Sequence, residues 1–558
     1  MFQYIQRRRQ PQKKGRETSV PAVIRKGTRI VMDFILSAYF VLMTAVMPFY
    51  FQDGYAHIAT DKAEFCGRIG IYMWRALLPV FAVYLGASLV SFLRGHRGGL
   101  TKELLLRQLG SAVKSLTLTD RFMALYGAAL LLSYFCSDYR EKALWGAGSG
   151  WYTGLLPQLM LILAYFFFVR FCKPRRALFF LMLLASSAVF LLGYLNRFGF
   201  YPIPMNLSSP SFISTIGNIN WYCGYAVTVF FAGAALFWQG EGGESLLGRG
   251  VLAGYVLLGF GTLVTQGSAS GIVTLAVMLL VLFCMSAGDG LRMKRFWTAA
   301  LLLGAACLFS GAIRRAAPDR MNFEDGAINL LTVSALPFVM AAVSLCFLIG
   351  VSVSERKGSY PKKYFNFGAK IAALLALCLA AVFLVLLAVN TVKPGSIGPL
   401  SKYAAFTFSD TWGSNRGATW KAGVMCFAEQ NLLHKLVGVG PDAMAAFTYQ
   451  DGSEELIGML NRMFGVGVSL TNAHNEWLTV LINTGILGFI GFVGAMLSAI
   501  AAFLKRCGRN RIACACGFSL LAYTVNNFFS FQQTINLTTM IMILSVGMAF
   551  LREGDKVE

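Results

Sequence analysis

Roughly fourteen stretches of this chain are apolar over a length that can cross a bilayer. They are centred near residues 40, 80, 130, 162, 185, 229, 258, 279, 304, 341, 380, 495, 520 and 543. Inside lipid, backbone N–H and C=O groups find partners only within a helix or a closed barrel, and spans of this length are helices. The expected fold is therefore all-α, a polytopic membrane helical bundle of about 14 transmembrane helices. Composition agrees: hydrophobic residues make up 56% of the 558 and charged residues 13%, with a mean hydropathy of +0.60. A soluble domain is nearer roughly 45–50% apolar and about 25% charged.

The net charge of +23 alone would suit a nucleic acid, but its distribution does not. Basic residues gather in alternate connections: Arg7, Arg8 and Arg9 with Lys13 and Lys14, then residues 94–121, 173–176, 292–295, 355–370 and 505–511. The positive-inside rule then puts both termini on the cytoplasmic side. A nucleic-acid surface needs basic side chains on one accessible face with aromatics between them, so no nucleic-acid partner is expected. Residues 1–29 read as a basic cytoplasmic tail with no cleavage site, and residues 30–391 as an N-terminal bundle of about 11 helices. Residues 392–473 form an extracytoplasmic loop with its own interfacial helix. Residues 474–551 hold about 3 further transmembrane helices, and 552–558 are a second cytoplasmic tail. The twelve cysteines, Cys514 and Cys516 included, lie mostly in apolar spans without zinc-like spacing to histidines. They read as small core residues, and no metal site is expected. A transporter or flippase should carry charge along a path through its spans. Here the spans are almost free of charge, Arg75 excepted, and the polar chemistry is concentrated in one external loop.

His474, one of only four histidines, stands where that loop meets an apolar helix. With Thr471 or Asn472 as cap, His474 falls in the first helical turn, where unpaired N–H groups favour an anion and disfavour the imidazolium. A neutral imidazole beside an anion site suits a general base. A helix from 472 to 504 would run about 50 Å at 1.5 Å per residue, longer than the hydrocarbon core. It must protrude or break near Asn483-Thr484-Gly485. Gly485, Gly488, Gly491 and Gly494 recur every third residue and should admit a close helix neighbour.

Within the loop, Ser414 is a fitting N-cap for a helix on which Arg416, Trp420, Val424 and Phe427 share one face. That helix should lie at the membrane interface, with Arg416 at the depth of a lipid-borne diphosphate or of ordinary lipid phosphate. After it, Gly438-Val-Gly-Pro-Asp442 makes a tight turn whose amides can hold an anion, and His434 reads as a surface histidine. Asn218 and Asn220, at the mouth of another span, either cap it or bind sugar hydroxyls. Arg314, Arg315 and Arg320 lie outside against the charge trend. They are suited to clamp a pyrophosphate, or else pair with Asp319, Glu324 and Asp325.

The pieces Gly217-Asn-Ile-Asn220, Gln266-Gly-Ser-Ala-Ser-Gly271, Asn415-Arg416 with Trp420-Lys421, Gly438-Val-Gly-Pro-Asp442 and Asn472-Ala-His-Asn-Glu-Trp-Leu478 occur in that order. Together they resemble the O-antigen ligase and polymerase superfamily over about residues 120–550. The resemblance implies a GT-C-like membrane glycosyltransferase using an undecaprenyl-diphosphate-linked oligosaccharide donor outside the cytoplasmic membrane of a bacterium. It implies no nucleotide sugar, no cofactor and no metal in the site. The acceptor would be a glycan, lipid, wall or protein, and membrane lipids would surround the donor. By position, His474 resembles the family's base and Arg416 an arginine that holds the diphosphate. Asn218, Asn220, Arg314, Arg315, Arg320, Lys421 and Asn475 are the expected substrate-binding residues. Many members carry an arginine near Ala269 where this chain has none, so a second clamp would come from Arg314, Arg315, Arg320 or Lys421, or be weaker.

Overall fold

The structure, a computed structural model, describes residues 19–95, 102–146, 151–206, 209–240, 245–323 and 325–554. The first 18 residues of the basic tail, Glu324 and residues 555–558 lie outside the described residues. Helix accounts for 79% of the chain, so the all-α expectation holds. The helices of the bundle, with one helix of the long loop between α11 and α13 (α12), are α1 Val20–Val41, α2 Ile58–Gly95, α3 Leu118–Cys136, α4 Leu155–Phe171, α5 Arg176–Arg197, α6 Ile219–Gln239, α7 Leu246–Thr265, α8 Ala269–Ser286, α9 Gly290–Ala316, α10 Leu336–Arg356, α11 Lys362–Val392, α12 Trp412–Glu429, α13 Glu476–Lys505, α14 Arg511–Asn526 and α15 Thr534–Gly554.

Each expected apolar stretch is a helix, but the count of fourteen spans is not reproduced. Among the described residues, eleven helices are long and apolar enough to cross a membrane. Helix α4 is apolar but has only 17 residues, and α3 and α14 fall outside the set. The core is centred on α6, which packs against α7, α14 and α15, while α11 lies at the periphery. The spans also hold more charge than expected. Lys62, Asp120, Arg197 and Glu476 are each 0% exposed, and burial of a charge demands partners. Lys62 donates to the carbonyls of Met47, Pro48 and Tyr50. Asp120 accepts from Tyr165 and faces Arg170 and Arg552. Cys514 departs from its expected role as a lone core residue, because a disulfide joins it to Cys507 between α13 and α14.

Of the two outcomes its length allowed, protrusion or a break near Asn483-Thr484-Gly485, helix α13 takes the break. Gly485 has φ +65° and ψ −172°, backbone that is essentially glycine's alone. The break frees the carbonyls of Ile482 and Asn483. Val439 and Gly440 donate their amides to these at 3.2 and 3.1 Å, and Ser133 adds its hydroxyl to Asn483 at 2.6 Å. The turn at 438–442 therefore docks into the broken helix, and these two amides are consumed there rather than left for an anion. Further along, a Cβ on Gly491 would stand 2.6 Å from the Tyr126 amide nitrogen. The glycine stripe thus lets α3 lie against α13, as its spacing indicated.

Helix α12 differs from expectation at both its start and its buried face. Gly413, Ser414 and Asn415 are left-handed, with φ of 59°, 59° and 69°, so Ser414 is not a cap and regular turns begin at Arg416. The buried face is the small-residue one, Ala418, Ala422 and Cys426, whereas Val424 is 59% exposed. Small side chains win because they bring α12 onto the start of α13: a Cβ on Gly423 would meet Leu478 at 2.6 Å and Ala473 at 3.0 Å.

Candidate functional site

Asn475, not Thr471 or Asn472, caps α13. Its side chain accepts from the Leu478 amide at 3.1 Å, so capping accounts for this predicted substrate contact. His474 consequently stands just before the helix rather than in its first turn. It adopts φ +48°, uncommon for a residue with a Cβ, and donates its N–H to Asn472 Oδ1 at 2.9 Å. The ring rests against Phe531, with centroids 5.0 Å apart. Its Nδ1 is shielded from solvent and finds no hydrogen-bond partner among the described residues. Burial first, and the Arg416 guanidinium second, lower the imidazole to about 4. The imidazole is neutral as expected, but burial and a neighbouring cation make it so, not a helix end.

Arg416 stands beside it. Its Nε donates to the Phe529 carbonyl at 2.9 Å and its Nη1 to Gly413 at 2.8 Å. Burial holds the guanidinium below its ordinary range, and none of its partners among the described residues is a carboxylate. Arg416 is also within electrostatic reach of Cys223 on α6.

One short segment connects these parts. Residues 527–533, a strap between α14 and α15, offer the Phe529 carbonyl to Arg416 and the Phe531 ring to His474. Trp420 packs on Phe529, Trp477 on Phe528 and Trp151 on Phe531. Trp151 donates to Thr471 at 2.8 Å and packs against Trp221 near the start of α6. Glu476 anchors the strap. Its amide donates to the Asn527 carbonyl at 3.0 Å, and its carboxylate accepts from Tyr523 at 2.8 Å and from the Asn527 amide group. Neither the strap nor Glu476 was among the predicted residues. The available signal was a carboxyl in the first turn of an apolar span. Beside the strap lies a polar recess of about 10 Å³, room for roughly one water. Asn472, Thr479, Asn483, Trp151, Phe531 and Gln532 are among its walls.

The remaining predicted residues divide. Asn218 caps α6, accepting from the Asn220 amide at 2.9 Å. Asn220 accepts from Ser268, next to Ala269, at 2.9 Å. This corner adjoins the site through Trp221, Trp151 and Cys223. Arg314 donates to Asn329 and Thr332, and Arg315 to the Val333 carbonyl, so both hold the short helix Gly326–Thr332. Arg320 lies in the exposed turn Pro318–Arg320. None of these contacts reaches His474 or Arg416. Lys421 pairs with Asp410 at 2.7 Å, which offsets the charge a clamp would need. His434 is buried rather than on the surface, with Nε2 3.3 Å from the Cys136 carbonyl. The Gln266–Gly271 stretch is instead braced by Arg197, unforeseen in this role, which donates to the carbonyls of Gln266 and Pro210 and to Asn322. Among the described residues no group of three or more His, Cys, Asp or Glu side chains could hold a metal ion.

A family model described as O-antigen ligase matches residues 325–493. That stretch contains Arg416, Lys421, His474 and Asn475, and it bears out the resemblance to the O-antigen ligase and polymerase superfamily. Eleven helices among the described residues are long and apolar enough to cross a membrane, so the chain has the architecture of a multi-pass membrane protein that is similar to O-antigen ligases over residues 325–493. No curated protein matches the chain.

Proposed function

We propose that this chain, similar to O-antigen ligases through residues 325–493, transfers or polymerises oligosaccharide from an undecaprenyl-diphosphate carrier at the outer face of a bacterial cytoplasmic membrane. The acceptor is a hydroxyl of a glycan, lipid, wall or protein. The observation that carries the reading is the pairing of a neutral imidazole with a cation that no carboxylate among the described residues offsets, both held by one strap.

Transfer requires that an acceptor hydroxyl lose its proton as its oxygen bonds to the anomeric carbon, while the bond from that carbon to the diphosphate oxygen breaks. His474 takes the proton. Arg416 stabilises the departing diphosphate, whose charge rises along the path. The two roles are coupled, because the guanidinium charge that lowers His474 is offset when a diphosphate arrives. The imidazole regains basicity once the donor is in place. Basic residues at the opposite end of the bundle, Arg175, Arg295 and Arg511 among them, support a cytoplasmic assignment for that end and an outer one for the site.

The test is His474→Ala in cells lacking the gene, scoring surface glycan length and lipid-linked precursor. Loss of long glycan with precursor accumulating on the outer leaflet is the expected result. Unchanged glycan would remove His474 from the chemistry. Precursor trapped on the inner leaflet would favour a flippase.

A further inference from the structure

We infer that Glu476 is a positioning residue, which through Asn527 sets the strap that fixes Arg416 and His474 relative to each other. The inference rests on the reading of those two as clamp and base. A carboxylate buried among apolar helices carries a large desolvation cost, which only good hydrogen bonds offset. Glu476 has them, from Tyr523 and from Asn527, and its own amide donates to the Asn527 carbonyl. The consequences run both ways along the chain. Two residues before Glu476 is His474. Two residues after Asn527 is the carbonyl that holds Arg416, and two further on is the ring against His474. A strap of seven residues, 527–533, has little slack, so a shift at Asn527 moves the clamp and the base together.

The Asn527 side chain also accepts from Asn526 at 3.2 Å, and this permits a decisive exchange. In Glu476→Gln the amide either turns its NH₂ to that of Asn527 or turns over and gives it to the Tyr523 hydroxyl, so one of the two bonds to the carboxylate is lost or reversed. In Asn527→Asp two carboxyl groups face each other and can meet only by sharing a proton. In the double variant the introduced glutamine can accept from Tyr523 and donate to the introduced aspartate, which still accepts from Asn526. Every bond is then kept, with the polarity of one reversed.

The experiment measures transfer by the full chain in proteoliposomes, with undecaprenyl-diphosphate-linked glycan purified from the same cells as probe. Each single variant should lower kcat by roughly 10- to 100-fold, the scale of a small misplacement of catalytic groups, with a smaller change in KM. The double variant should return to within about threefold of the parent, as coupled neighbours do. Losses that simply multiply in the double, or single variants that keep full kcat, would overturn the inference. If Asn527→Asp fails to insert, Glu476→Gln against the double still decides. His474→Ala run alongside separates the two ideas: its retention of activity defeats the reading itself. Its inactivity beside fully active Glu476→Gln defeats only this inference.

Discussion

Among single residues, His474 is defined by two neighbours, the Phe531 ring and the Arg416 cation. A base must be neutral to accept a proton, so transfer is retained above its pKa and lost as pH falls through it. With free protein the imidazole sits near 4, and kcat/KM should keep its acid limb near there. In the donor complex the Arg416 charge is offset while the burial remains, so the acid limb of kcat should move up but stay below the ordinary histidine value of about 6.5. Profiles of both constants against pH test this, and coincident limbs would refute the coupling. Arg416→Lys should not rescue function. A single ammonium cannot span the Phe529 and Gly413 carbonyls and still present a planar fork to phosphate. Transfer should drop at least about tenfold, the scale of one charge-assisted hydrogen bond at about 1.5–3 kcal/mol.

Between helices, two glycines place the site. Gly485 breaks α13 in a conformation other residues avoid, and the 438–442 turn occupies the break. Gly485→Ala should cost about 1–3 kcal/mol, read as a lower melting temperature in detergent. Gly423 lets α12 touch Ala473, the residue before the base. Gly423→Val should separate Arg416 from His474 and cut transfer sharply while leaving the amount of inserted protein unchanged. The break was legible because helix length exceeds bilayer thickness, a matter of counting. The cap and the buried face of α12 were not. Several polar residues in a row can all cap, and an apolar stripe buries only if a partner lies opposite. Of the stripe only Val424 is exposed, while Trp420 is half-buried on Phe529 and Phe427 against the loop core. The fully buried face is that of Ala418 and Ala422, because small residues permit the closer approach that Gly423 shows.

Across the whole molecule, loops distant in sequence meet at one end of the bundle: residues 151–153, 218–221, 266–270, 413–416, 471–475 and 527–533. That end should face outward. With the exposed Cys346 and Cys378 replaced, Val466→Cys should react with a membrane-impermeant maleimide in intact cells, and Leu246→Cys only after lysis. Both positions are highly exposed, at 88% and 86%, so accessibility alone cannot explain a difference, and the reverse pattern would invert the topology.

The all-helical membrane architecture, His474 and Arg416 as candidates, and the choice between protrusion and a break for α13 were readable along one dimension. Each follows from local physics: the apolar length of a span, the rarity of ionisable groups at its edge, the rise per residue of a helix. Which cations are tied to partners within the scaffold was decided in three dimensions. Arg314, Arg315 and Lys421 have partners that no spacing reveals, while Arg416 and His474 are joined by a strap that belongs to the far end of the chain. The role of Glu476 is of the same kind, since a buried carboxylate is defined by what surrounds it, and its surroundings come from helices that only folding brings together.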